Sequence, residues 1–163
     1  MPNTTTNVIS AALEVKRQYQ TLMNNVILRN KAQNTSLSSS QWRDMDRLLL
    51  LDEDAEDGSI DVYETYVSIE AMQEFVRLLM TEVRSELRAE LSNPRSHVSR
   101  ENRIALQMTL ANFDDNVRRL VDKLAELYVA VAELDEARSG SRQPVRAQFP
   151  ELTDPASWLT DPS

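Results

Sequence analysis

The chain has 163 residues, 18 basic against 26 acidic, for a formal net charge of −8. Cysteine is absent, which excludes a disulfide framework, thiolate metal sites and a cysteine nucleophile. Glycine occurs only at 58 and 140, too rarely for a turn-rich β architecture. Nucleic-acid binding begins with a basic stripe, and the adjacent pair Arg118-Arg119 has acidic residues close on both sides, so no nucleic-acid partner is expected. The start, Met1-Pro2-Asn3-Thr4-Thr5-Thr6, has neither the basic nor the apolar part of a secretion signal. The run Leu48-Leu49-Leu50-Leu51 is far too short to span a membrane. The expectation is a soluble protein, cytoplasmic or carried in a particle built there, with no membrane partner.

Val8, Ala12, Val15, Tyr19, Leu22 and Val26 step alternately by four and three, the period of one helix face, and predict a first helix over 6–31. Asn34 to Ser40 is a polar connector rich in capping residues. A short second helix follows over 41–51, with Trp42, Met45, Leu48 and Leu49 on its apolar side. A third helix is predicted over 62–91. It carries two stripes: Ile69, Met72, Val76, Leu79 and Val83, and beside them Val67, Ala71, Phe75 and Leu78. Two stripes imply two neighbours. Ser92-Asn93-Pro94 stops it, because proline disfavours a helical residue before it.

The fourth helix, over 99–138 with Ser99 as cap, has the strongest pattern. Leu106, Leu110, Phe113, Val117, Leu120, Leu124, Leu127, Val131 and Leu134 form an unbroken heptad. Its flanking positions do not offer the complementary charges of a parallel zipper. Val121 and Tyr128 instead widen the stripe, as packing inside a bundle requires. At about 1.5 Å per residue this helix is on the order of 60 Å long. The fold class is therefore all-α: an elongated antiparallel bundle of three long helices and one short one over 1–138, followed by an extended, proline-containing tail over 139–163.

Chemistry has little to stand on. His97 is the lone histidine, and no Glu-x-x-His pair or nucleophile elbow accompanies it. The segment Glu53-Asp54-Ala55-Glu56-Asp57-Gly58-Ser59-Ile60-Asp61-Val62-Tyr63-Glu64 resembles an EF-hand calcium loop. The resemblance sets Asp57, Ser59, Asp61 and Glu64 at ligand positions, with Gly58 at the turn. It departs from the pattern at Glu53 and at Ala55, which has no side-chain oxygen to give. The favoured reading is an acidic connector in which Asp61 caps the third helix, with no cofactor; bound Ca²⁺ is the alternative.

The tail holds four of the six prolines and two copies of one tetrapeptide, Leu152-Thr153-Asp154-Pro155 and Leu159-Thr160-Asp161-Pro162. In each copy Asp-Pro is a helix-start pair. Phe149, Leu152, Trp158 and Leu159 are apolar anchors that a proline-broken segment cannot bury by itself, so they dock on a partner or back on their own bundle. The expected function is that of a non-enzymatic structural or adaptor subunit of a larger assembly, a virion or another multi-subunit complex. Other protein subunits are its partners, and a homo-oligomer within the assembly is compatible. The alternatives are a calcium-responsive module with a degenerate single loop, or a small chaperone or inhibitor that holds a partner helix against the second stripe of the third helix.

Overall fold

The computed structural model describes residues 4–49, 60–93 and 99–159. Their regular structure is all helical, with no strand among them, and none of their helices is long and apolar enough to cross a membrane. In chain order come α1 (Thr4–Met23), α2 (Val26–Gln33), α3 (Ser39–Leu49), α4 (Val62–Leu78), a π turn (Leu79–Val83), α5 (Arg84–Ser92) and α6 (Arg100–Ser139). Two short 3₁₀ turns follow, Val145–Gln148 and Pro155–Ser157.

The single first helix expected over 6–31 is in fact two. Asn24 and Asn25 break it, because the Asn25 side chain accepts from Leu28 N and caps a new helix. The Asn25 amide also donates to Thr109 Oγ1 at 3.0 Å, fixing the break against α6. The new start shifts the apolar register. Leu28 and Ala32 take the buried positions, and Val26, expected on the buried stripe, is 55% exposed. Elsewhere the stripes hold. Val8, Ala12, Val15 and Leu22 are buried on α1, and all five residues of the first stripe on α4 and its π turn are buried. The second stripe is covered from within: Phe75 meets Trp42 of α3 and Tyr19 of α1, each ring at 5.7 Å. No open face remains at Phe75 for a foreign helix.

Caps fall where side-chain chemistry places them. Asp61 accepts from Glu64 N at the start of α4, and Ser99 accepts from Asn102 N at the start of α6. Gly140 closes α6 at φ +58°, a conformation that costs glycine nothing.

The 40-residue α6 packs against α1, α2, α4, α5 and both 3₁₀ turns, while α3 lies on α4 and α1. Every heptad residue is buried except Leu110, which is half-buried at the edge of the stripe. Val121, in a flanking position, is buried as well. Tyr66 near the start of α4 reaches Asp135 near the end of α6, and Arg84 pairs with Asp114 at 2.8 Å further back. Together with the Arg103 bond to Leu91 O, these contacts make α4–α5 and α6 run in opposite directions. Lys31 ties α2 to α5 between Glu90 (2.7 Å) and Glu86 (3.2 Å). Burial works against its charge, but those two carboxylates outweigh it and hold the ammonium above the ordinary lysine value.

The candidate site: a buried carboxylate that holds the C-terminal segment

Residues 144–159 do not extend away from the helices. Pro144 and Pro155 prevent a long helix, so the chain makes two short turns and lays its apolar side chains on α4 and α6. Phe149 is 5% exposed and Leu152 1% exposed, both within the core shared with the helices. Phe149 sits against the rings of Tyr63 (5.2 Å) and Tyr66 (5.5 Å) of α4.

Asp135 organises this docking. It is 2% exposed, and a buried carboxylate must be matched by donors or it is costly. Val145 N and Arg146 N each donate to it at 2.9 Å, so its two oxygens take the first amides of the 3₁₀ turn. The Tyr66 hydroxyl donates to the same carboxylate at 3.4 Å, and Ser139 Oγ, which donates at 2.6 Å to the Asp135 backbone carbonyl, lies 3.1 Å from one carboxylate oxygen. Burial, and then the nearby Asp135 charge, push the Tyr66 phenol well above its ordinary value of 10.0. Tyr66 is therefore a proton donor here and not a base.

Arg146 completes the clasp from the other side. Its Nε donates to the Tyr128 hydroxyl at 2.9 Å, and its guanidinium lies 5.7 Å from that ring's centre. The same guanidinium donates to the carbonyls of Phe149 (2.6 Å) and Leu152, stiffening the segment it belongs to. Further on, Gln73 of α4 donates to Glu151 O and accepts from Thr153 N, both at 3.1 Å. This pins the start of the first Leu-Thr-Asp-Pro copy to α4. Asp154 caps the short turn with Pro155 at its first position, as the Asp-Pro pair predicts.

Asp135, Arg146 and Gln73 each fix backbone groups of the segment, and the Tyr66 and Tyr128 hydroxyls brace Asp135 and Arg146 in turn. Trp158 and Leu159 are different. They are half-buried, and Trp158 Nε1 donates to Thr153 Oγ1 at 2.9 Å. Trp158 borders a cavity of about 300 Å³ shared with Val76, Arg77 and Met80. Of the calcium candidates, Asp57 and Ser59 lie outside the described residues, as does His97. Asp61 is spent as the α4 cap, and Glu64 faces Arg47 at 3.3 Å. Among the described residues no three histidine, aspartate or glutamate side chains come together as a metal cluster.

Sequence patterning brought out Phe149 and Leu152, and Tyr128 as a residue that widens the buried stripe, but missed Asp135, Arg146, Tyr66 and Gln73. One signal was available: Tyr128 and Asp135 are seven residues apart beside the heptad stripe, where a bundle buries side chains. No protein-family model, curated protein or solved structure matches the chain.

Proposed function

We propose that this protein is a non-enzymatic structural or adaptor subunit of a larger protein assembly. In this reading its elongated antiparallel bundle is a rigid spacer, and its C-terminal segment is clamped to the bundle as part of a docking surface for another protein subunit. The observation that carries the reading is the Asp135 clasp. A buried carboxylate and an arginine are both committed to backbone groups of the tail, an expensive way to fix a segment with no role of its own. Phe149 and Leu152 then act as internal anchors. Trp158 and Leu159, packed at the rim and only half-buried, leave part of their surface for a partner, and tryptophan is among the commonest interface anchors.

The test separates the anchor from the offered residue. Proteins that co-purify with the intact chain from its native cell are compared with those retained by Trp158→Ala and Phe149→Ala. Trp158→Ala should keep the melting temperature within a few degrees and lose the partner. Phe149→Ala should lower the melting temperature and lose the partner as well. Retention of the same partner by both variants would remove the tail from the docking surface.

A further inference from the structure

The outward face of α6 at its N-terminal end exposes apolar side chains. Charged residues make up 27% of the chain, yet the ten positions from Ile104 to Phe113, between Arg103 and Asp114, carry none. On the side facing away from the core, Ile104 is 47% exposed and Met108 61% exposed. Ala111 lies one turn further along the same line and is also exposed. The line is bounded by Arg100 before it and Asp115 after it, both exposed. From Arg100 to Asp115 the spacing is 4, 4, 3, 4, which keeps all five side chains on one stripe about 22 Å long.

Read outward from its middle, the stripe is self-complementary. One end is basic, the other acidic, and the centre is apolar. A second copy of the helix laid antiparallel, about a two-fold axis between Gln107 and Met108, brings each Arg100 opposite the other copy's Asp115. The same operation sets Ile104 over the other copy's Ala111, a large side chain against a small one, and brings the two Met108 side chains together at the axis. A two-fold contact requires this kind of self-matching patch. Asp115 also pairs with Arg119 at 3.0 Å within its own helix. An exposed pair at that spacing is weak and can be shared.

We propose that this stripe is a homodimer interface: α6 pairs antiparallel with α6 of a second copy, apolar at Ile104, Met108 and Ala111 and closed at both ends by Arg100–Asp115 pairs. The inference does not depend on the adaptor reading, because it uses a different surface. The patch is smaller than the roughly 800 Å² per partner of a standard stable complex, so the dimer forms at high protein concentration and dissociates on dilution.

Sedimentation velocity of the full chain over a wide concentration range tests the idea, with circular dichroism to show that each variant is folded. The wild type should move from monomer to dimer as concentration rises. Ile104→Glu with Met108→Glu should remain monomeric throughout with unchanged helicity, as expected for exposed positions. Arg100→Asp alone and Asp115→Arg alone should each weaken the dimer, since the two-fold axis places like charges together twice. The two reversals combined should restore it. A wild type that stays monomeric at the highest concentration overturns the proposal, and so does a dimer indifferent to residues 104 and 108. Failure of the double reversal to recover what each single reversal loses would overturn the antiparallel register.

Discussion

The two ends of α6 solve opposite problems. Near Asp135 the helix buries a carboxylate whose donors come from other parts of the fold: the Tyr66 hydroxyl of α4 and two backbone amides of a segment about ten residues further along the chain. Near Met108 it leaves apolar side chains in water and supplies no cover from within the described residues. The cause is connectivity. At the C-terminal end the chain turns at Gly140 and returns along α4 and α6, whereas α1 ends and α2 begins beside Thr109. α2 and α5 cover the inner side of α6 at its N-terminal end, at Leu106 and Thr109, and leave its outer side bare. What it then exposes is decided by whether the stripe is charged or, as here, neutral.

The largest expected effect is in the enclosed part of the helix. Leu120 has no exposed surface, and Leu120→Ala should cost about 2–5 kcal/mol, the range for a leucine deleted from a close-packed core. Leu110→Ala removes the same atoms from the same heptad, but Leu110 is half-buried and should cost clearly less, because part of its surface is already hydrated. Denaturant melts of the two variants give the comparison directly. Equal losses would mean that the N-terminal half of α6 is as well covered as the middle.

Next in size is the clasp. Asp135→Ala leaves two backbone amides and the Tyr66 hydroxyl without their acceptor, while Ser139 Oγ keeps its 2.6 Å bond to the backbone carbonyl of residue 135. Unsatisfied buried donors cost about 1–3 kcal/mol each, though here the segment can lift off and reach water, which caps the total near that of a few such groups. The variant should melt lower and be cut faster by trypsin at Arg142 and Arg146. Asp135→Asn keeps the shape but points an amide nitrogen toward donors, so it should recover only part of the loss. A protease pattern unchanged in both variants would show that the apolar contacts of Phe149 and Leu152 hold the segment unaided.

How much of this was legible beforehand follows from what each pattern reports. Apolar periodicity reports which face is buried, so the stripes of α1, α4 and α6 and the anchors Phe149 and Leu152 could be read. The break at Asn24-Asn25 could not, because asparagine's local capping competes with a stripe that continues in sequence past it. The clasp was hidden for a different reason. Asp135, Arg146 and Gln73 are polar residues whose partners are backbone groups, and a backbone acceptor or donor has no sequence signature. The return of the tail was one of two outcomes its composition allowed. Local chemistry, Asp154 as cap and Pro155 behind it, was readable because it needs only neighbouring residues.

Alkaline pH probes the interior beside the clasp with a smaller effect. Tyr66 is held above its ordinary 10.0 by burial and then by Asp135, and Tyr19 is pushed up to about 12 by burial and then by Asp46. Below pH 10 both phenols are protonated in the folded and unfolded chains, and their contribution is fully present. Above it the unfolded phenols release protons first. The folded state then binds more protons, and stability falls as pH rises. The slope is at most about 1.4 kcal/mol per pH unit per tyrosine, and shallower for Tyr19, which keeps contact with solvent. Tyr66→Phe should flatten the alkaline decline in denaturant titrations. An unaltered slope would assign the decline to other groups.

The smallest expected effect is that of calcium, which acts at the same end of the bundle as the clasp. Two of the four candidate ligands already have other work: Asp61 accepts from Glu64 N at 3.0 Å, and Glu64 faces Arg47 at 3.3 Å. Recruiting them to a cation would uncap α4 and break that pair, while Ala55 contributes no oxygen in return. If the dissociation constant is no tighter than the millimolar calcium applied, mass action limits the gain to about 0.4 kcal/mol. For a chain of this size that is a melting shift of about 1–2 °C at most. Thermal melts with millimolar calcium and with a chelator should therefore nearly coincide. A rise of many degrees that Glu64→Gln abolishes would show that the loop rearranges to bind the ion, and would favour the calcium-responsive reading over the proposed docking one.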